Sequence, residues 1–156
     1  MKILLTYPEN PETFWSYRHA LRFVSKSSSF PPLGLLTVAS MLPPGWEKKV
    51  VDLNVREIQD EEIRWADYVL VSAMSVQRES ARRIIQKSKA LRRPVVAGGP
   101  LFTSHFDEFD DVDHLVLDEA ELTLPRFLSD LARNEPKHLY RADGWADVTR
   151  TPITSW

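Results

Sequence analysis

The chain has 156 residues, 43% of them hydrophobic, and a formal net charge of −2, the size of one domain with enough apolar surface for a core of its own. Its charges are spread along the sequence rather than gathered into a nucleic-acid-binding stripe, and no apolar run approaches the ~20 residues that span a bilayer. It has no cysteine, which excludes a disulfide, a thiolate zinc site, a cysteine nucleophile and an iron–sulfur cluster built from this chain alone.

Lys2-Ile-Leu-Leu-Thr6 is an apolar run that suits a central first strand, and it passes into Tyr7-Pro8 without a small-residue cleavage site, so a cytoplasmic protein is expected. The segment up to Pro32 carries Pro8, Pro11, Pro31 and Ser27-Ser-Ser29 and reads as a long loop, with a helical turn over residues 15–24. Its aromatics, Phe14, Trp15, Tyr17, Phe23 and Phe30, suit either a flap over the end of strand one or simple anchors to the body. Leu33-Gly-Leu-Leu-Thr-Val-Ala-Ser-Met-Leu42 is apolar on nearly all sides between Pro32 and Pro43-Pro-Gly45, which predicts a buried helix.

Lys48-Lys-Val-Val-Asp-Leu53 is the second strand, Glu61-Glu-Ile-Arg-Trp-Ala66 a short helix, and Tyr68-Val-Leu-Val-Ser-Ala-Met74 the third strand. In the following segment Ala81, Ile84, Ile85 and Ser88 recur at helical spacing opposite Arg82, Arg83, Gln86 and Lys87, an amphipathic crossover helix whose last turn carries cations. Pro94-Val-Val-Ala97 is the fourth strand and Asp113-His-Leu-Val-Leu117 the fifth. A last helix begins at Glu119 and turns Leu124, Phe127, Leu128 and Leu131 inward. Residues 135–156 are polar and irregular and read as a linker, leaving a domain over residues 1–134.

Five strands alternating with helices predict an α/β fold: a doubly wound, open parallel sheet of Rossmann-like or flavodoxin-like type in the order 2-1-3-4-5. Ligands of such sheets bind beyond the carboxyl ends of strands one and three, here above Tyr7, Ser72 and Gly98. Common occupants can be excluded residue by residue. Tyr7-Pro-Glu-Asn-Pro11 lacks the glycines and free amides of a flavin phosphate loop, strand three does not end in the aspartate of a phosphoacceptor, and the glycine pair Gly98-Gly99 follows strand four instead of strand one. Gly98-Gly99-Pro100 reads as a tight turn or as a close approach to a ligand, and Ser72 as a core hydroxyl or a ligand contact. Together, at adjacent strand ends, they favour the ligand. Asp52 and Asp67 read as a strand-end cap and a turn residue, with no nucleophile and base in view.

Pro31-Pro-Leu-Gly-Leu-Leu-Thr-Val-Ala39, Val51-Asp-Leu-Asn54, Ala66-Asp67, Val71-Ser-Ala-Met-Ser-Val-Gln77, Ala97-Gly-Gly-Pro100 and Glu119-Ala-Glu121, in this order and spacing, resemble the amino-terminal cobalamin (vitamin B12)-binding domain of cobalamin-dependent radical SAM enzymes. The resemblance covers the whole chain. It implies that the nucleotide tail of cobalamin is drawn out of the corrin and buried in the groove of the α/β domain. Carried onto this sequence, it makes Tyr7, Pro8, Leu33, Ser72, Ala73, Met74, Ser75, Gly98, Gly99, Pro100, Thr103 and Glu119 the cofactor-binding residues. No residue is expected to be catalytic. Two positions depart from the family pattern: Asp118 stands where glycine is usual before Glu119, and Met74 where leucine is usual.

Methionine synthase-type domains carry a D-x-H-x-x-G motif after strand one, whose histidine ligates cobalt, and nothing similar follows Thr6. Of the four histidines, His19, His105, His114 and His138, only His19 lies in the first loop, without aspartate or glycine beside it. The expectation is a base-off cobalamin with no histidine from this chain on cobalt. The resemblance also implies a parent enzyme of methyltransferase or cyclase type, whose radical SAM module would bring S-adenosylmethionine and a [4Fe-4S] cluster in cis. With no cysteine, this chain binds neither and reads as an excised binding domain. The rival expectation is a stand-alone interaction module with a degenerate crevice, closed by the first loop or self-associating through Trp46 and Trp156.

Overall fold

The computed structural model describes residues 1–11, 31–147, 149 and 151–152. The helical turn expected over residues 15–24, the packing of Phe14, Trp15, Tyr17, Phe23 and Phe30, and the roles considered for His19 and Trp156 lie outside the described residues. In chain order the elements are β1 (Lys2–Tyr7), α1 (Leu33–Met41), β2 (Glu47–Asp52), α2 (Asp60–Trp65), β3 (Tyr68–Ser72), α3 (Arg78–Ala90), β4 (Val95–Gly98), α4 (Pro100–Ser104), β5 (His114–Val116), α5 (Ala120–Ala132) and β6 (Leu139–Tyr140). Short 3-10 turns precede α3 at Ser75–Gln77 and follow α4 at Phe106–Glu108.

All strands are parallel, in the order β2-β1-β3-β4-β5-β6. The central strands are apolar because both their faces are covered. Leu4, Val69, Val71, Val95, Ala97 and Leu115 pack on α2, α3 and α4. The alternate residues Ile3, Leu5, Leu70, Val96 and Val116 pack on α1 and α5. Phe102 and Phe109, ring centroids 4.7 Å apart, are fully buried on the first face, each contributing about 2–3 kcal/mol by leaving water.

The expected 2-1-3-4-5 order stands, with one correction: a sixth strand, β6, extends the sheet past residue 134, where the sequence suggested a linker. Tyr140 is buried edge-on against Phe127, with centroids 5.6 Å apart. Its hydroxyl donates to Asp130 Oδ2 at 3.0 Å and accepts the Lys137 N–H at 2.7 Å. Two residues leave no alternation to read, so the strand is silent in the sequence. The crossover that delivers it is also unusual. The steps β3 to β4 and β4 to β5 pass over the α3 face, whereas β5 to β6 passes through α5 on the opposite face, reversing the usual right hand.

Two further expectations are corrected. The glycine turn after β4 continues into the helical turn α4, with Gly99 as N-cap and Pro100 in its first turn, and five residues are too few to show a 3.6-residue period. Helix α1 is not a buried helix: only Leu35 within it is fully buried, and Leu33 is 56% exposed. Its apolar residues surround the whole helix, but the sheet and α5 cover one side.

Candidate functional site

The chain switches direction between β1 and β3. Helix α1 leaves the carboxyl end of β1 for one face of the sheet, while α3 leaves the end of β3 for the other. This opens a crevice at the strand ends. Side chains alternate along a strand, so Tyr7, Ser72 and Gly98 fall on the α1/α5 side of it, in line with Leu5, Leu70 and Val96.

Ser72 and Gly98 are register partners at the tips of β3 and β4, and Gly98 in turn faces Val116 of β5. A Cβ on Gly98 would sit 2.6 Å from the Val116 carbonyl oxygen. The glycine is therefore required by the packing of β4 against β5 before any ligand is considered. Gly99 has φ +90°, a backbone that L side chains rarely adopt, and a Cβ there would lie 3.0 Å from Ser72 Oγ and 3.2 Å from the Ala73 carbonyl oxygen. The Leu101 N–H donates to that same Ala73 carbonyl at 2.9 Å, and the Thr103 N–H donates to the Gly99 carbonyl at 3.0 Å. The tip of β4 is thus closed down on the tip of β3.

Most polar side chains around the crevice are used by the protein itself. Thr6 Oγ1 donates to the Leu70 carbonyl at 2.9 Å, and Ser80 Oγ accepts the Glu9 N–H at 2.9 Å. Thr103 Oγ1 accepts the Asp118 N–H at 2.9 Å, joining α4 to the turn after β5. Asn54, held in an Asx turn by Asp52 Oδ1, accepts the Asn10 N–H at 2.9 Å and donates to the Pro8 carbonyl at 3.2 Å. Gln77, 1% exposed, donates from Nε2 to the same Pro8 carbonyl at 2.6 Å and accepts the Met74 N–H on Oε1 at 2.8 Å. Half-buried Ser72 differs: among the described residues its hydroxyl has no hydrogen-bond partner.

Exposed apolar side chains follow the same strand ends. Met74 is 49% exposed, with its sulfur 3.7 Å from the Tyr7 hydroxyl, and Val76 is 62% exposed on the turn that follows. Leu33, at the start of α1, belongs to the same strand-end side, as does the exposed Val55 after β2. Ser75 is exposed at the start of the 3-10 turn, and Pro100 at the start of α4. Ala73 is instead sunk in the core on the α3 face, with its N–H donating to the Gly98 carbonyl at 3.3 Å. Glu119 is the half-buried N-cap of α5 and makes no side-chain cap, while its carbonyl accepts the Leu122 and Thr123 amides.

Asp118, which replaces the usual glycine, has φ +61°, the left-handed conformation that glycine takes freely and aspartate tolerates. Its carboxylate accepts the Ala142 N–H at 3.1 Å and pairs with Arg141 at 3.5 Å. The turn keeps a glycine-like backbone without a glycine. Beside α3, Glu108 is gripped by Arg78 and Arg82, and the Arg78 hydrogen bond holds its carboxyl below the ordinary range.

Among the described residues no three His, Asp or Glu side chains cluster as a metal site. His114 begins β5 and His138 precedes β6, at the amino ends of the strands, and their rings contact the Lys137 and Asp113 carbonyls at 2.8 and 3.2 Å. His105 ends α4 with its ring 3.3 Å from the Leu101 carbonyl.

Residues 23–128 match the family model of the B12 binding domain. The chain belongs to that family. This B12-binding domain is 46% identical over 155 residues to an uncharacterized methyltransferase of Synechocystis sp., covering 98% of the chain and 29% of that protein. It is 28% identical over 160 residues to the hopanoid C-2 methylase of Rhodopseudomonas palustris, covering 99% of the chain and 30% of that protein. The chain therefore spans less than a third of the length of these curated relatives. No solved structure matches it.

Gln77 and Asn54 were not singled out as site residues, although both stand inside segments that carry the family resemblance. A glutamine just before an amphipathic helix gives one cue, since a polar side chain there is well placed to bond the turn that starts the helix.

Proposed function

We propose that this domain holds cobalamin base-off, with the nucleotide tail seated in the switch-point groove on the side of Tyr7, Ser72 and Gly98. The observation that carries the reading is the Ser72 hydroxyl. It is half-buried at the switch point and has no partner among the described residues, while Thr6, Thr103, Asn54, Gln77 and Ser80 around it are engaged. A buried heterocyclic base or a sugar–phosphate would engage that hydroxyl. Gly99, which leaves no Cβ beside Ser72, keeps the backbone approachable there. Tyr7, Leu33, Met74 and Val76 supply apolar surface for the flat macrocycle, and Met74 adapts its shape to what it touches. Pro8, Pro100, Thr103 and Glu119 hold the rim of the groove, and Ser75 offers a second, exposed hydroxyl.

Bound cobalamin would supply a cobalt centre able to accept and pass on a methyl group. The protein's own residues bind and orient it, with no acid, base or nucleophile assigned among the described residues. The lower face is read as free of a histidine ligand from this chain. The placement of His114 and His138 at the far ends of the strands supports this, as does the His105 contact with Leu101, while His19 lies outside the described residues. The parent is read as a methyl-transferring radical SAM enzyme, in which a further module in cis brings S-adenosylmethionine and a [4Fe-4S] cluster. The support is the match to less than a third of two proteins named as a methyltransferase and a methylase.

Titration of the full-length parent with hydroxocobalamin and methylcobalamin tests the reading. Saturable binding with a base-off absorption spectrum, weakened by Ser72→Ala, is expected. No binding overturns it, and nitrogen ligation in the paramagnetic resonance spectrum of the cob(II)alamin form overturns the histidine-free lower face.

A further inference from the structure

Beyond Thr6 and Val71 no backbone ladder joins the described segments that follow β1 and β3. Side chains span the gap instead: Ser80 Oγ accepts the Glu9 N–H at 2.9 Å and the Tyr7 hydroxyl lies 3.7 Å from the Met74 sulfur, while one amide bonds the segments after both strands at once. Gln77 precedes α3 and is 1% exposed. Its Nε2 donates to the Pro8 carbonyl at 2.6 Å, 69 residues away in sequence, and its Oε1 accepts the Met74 N–H at 2.8 Å. On the far side of Pro8, Asn54 donates to the same carbonyl at 3.2 Å. Both amide ends of a buried glutamine are therefore satisfied, by one group from each loop.

We infer that Gln77 is the positioning residue of the nucleotide-tail groove: it fixes the spacing of the β1 and β3 loops and closes the crevice on the α3 face, so that the groove opens only on the Ser72 side. The inference rests on the tail-in-groove reading above. Gln77 belongs to the segment that enters α3, whose Ala81, Ile84 and Ile85 pack on the face opposite Tyr7 and Ser72. From there it reaches the ligand through the loops it holds. Met74 and Pro8 are both attached to it, so losing the amide loosens the Tyr7–Met74 pair and the Ser72 turn together. The tail needs that spacing because it is a wedge between the loops, while the macrocycle rests on the apolar rim outside.

The distinguishing probe is cobinamide, the corrinoid that lacks the nucleotide tail. In the full-length parent, Gln77→Met keeps the volume and removes both hydrogen bonds, while Gln77→Glu keeps an acceptor for the Met74 N–H and sets a carboxylate against the Pro8 carbonyl. Both variants should weaken hydroxocobalamin binding about tenfold, the scale of one buried hydrogen bond and the order it preserves, and leave cobinamide affinity within about twofold. Equal losses for the two corrinoids, or an unchanged ratio in folded variants, overturn the inference. A wild-type protein that binds neither overturns the underlying reading instead. Should the variants fail to fold, hydrogen exchange of the Met74 amide in the unmodified protein decides: cobalamin should slow it and cobinamide should not, and an equal effect of both overturns the clamp.

Discussion

The two ends of the sheet are built in contrasting ways. At the amino ends, carboxylates cap the strand donors. Asp67 accepts the Lys2 N–H at 2.7 Å and Asp113 accepts the Val95 N–H at 2.8 Å, while His114 and His138 bond to neighbouring carbonyls. At the carboxyl ends, Gly99 and Asp118 both have positive φ, the apolar Leu33, Met74 and Val76 stay exposed, and the Ser72 hydroxyl is open among the described residues. Left-handed residues occur at both ends, Arg92 and Asn134 standing before β4 and β6, so what sets the carboxyl edge apart is its exposed apolar surface and the Ser72 hydroxyl. Exposed apolar side chains beside a hydroxyl without a partner among the described residues suit a ligand, so this contrast directs attention to the carboxyl edge.

Substitutions can break or sharpen this contrast. The largest effect is expected at Gly98. Gly98→Ala drives a methyl against the Val116 carbonyl and should cost about 3 kcal/mol or more in denaturant unfolding, the upper range for overpacking. A change below about 1 kcal/mol would mean that β4 and β5 separate easily and that the glycine serves something else. Gly99→Ala follows, with an expected loss of about 1–2 kcal/mol from its positive φ, accompanied by weaker cobalamin binding because the new Cβ crowds Ser72.

Ser72→Ala separates the two ends most cleanly. Stability should stay within about 0.5 kcal/mol, because no hydrogen bond among the described residues is lost, while cobalamin affinity falls about tenfold. Asp113→Ala is its mirror image. It orphans the Val95 N–H and should lower stability by about 1–2 kcal/mol, and a calorimetric titration with cobalamin should show unchanged affinity. Loss of affinity in Asp113→Ala would break the comparison between the two edges.

The smallest effect concerns pH. The hydrogen bond from Arg56 holds the Glu62 carboxyl at about 2, down from an ordinary 4.5, within the capping box that starts α2. A carboxyl depressed in the folded state stabilises fully above its unfolded value and loses that contribution as pH falls. The pair should therefore stabilise above pH 4.5 and fade toward pH 2. Glu62→Gln should flatten that part of the stability–pH curve, and an unaltered slope would show that the pair contributes nothing in solution.

The sequence is eloquent where structure is local. The apolar runs ending in Thr6, Ser72, Ala97 and Leu117 mark parallel strands because strands covered on both faces must be apolar throughout. The ends of those runs then mark the carboxyl edge of the sheet, which is why Ser72, Met74, Gly98 and Gly99 were expected to act as a set. Helix α4 and strand β6 were not, being too short to show a period. The state of the polar groups was also hidden. That Thr103 serves the Asp118 N–H, or that Ala73 faces the core, depends on where other elements come to rest.

Gly98 illustrates the division. Its position after an apolar run proclaims a strand end, but the reason for glycine there is the Val116 carbonyl, brought alongside only when β5 pairs with β4. Asp118 is the converse case: the residue type suggested a departure from the family pattern, and the fold holds this aspartate in the left-handed conformation that glycine takes freely. By itself the sequence determined five of the six strands and their order, because these follow from hydrophobic period, and the family resemblance, because that rests on short motifs in a fixed order. Only the tertiary structure decided which hydroxyls and amides remain open at the carboxyl edge, because the bonds that consume them, such as Gln77 to Pro8 across 69 residues, form between segments that meet only once the sheet is assembled.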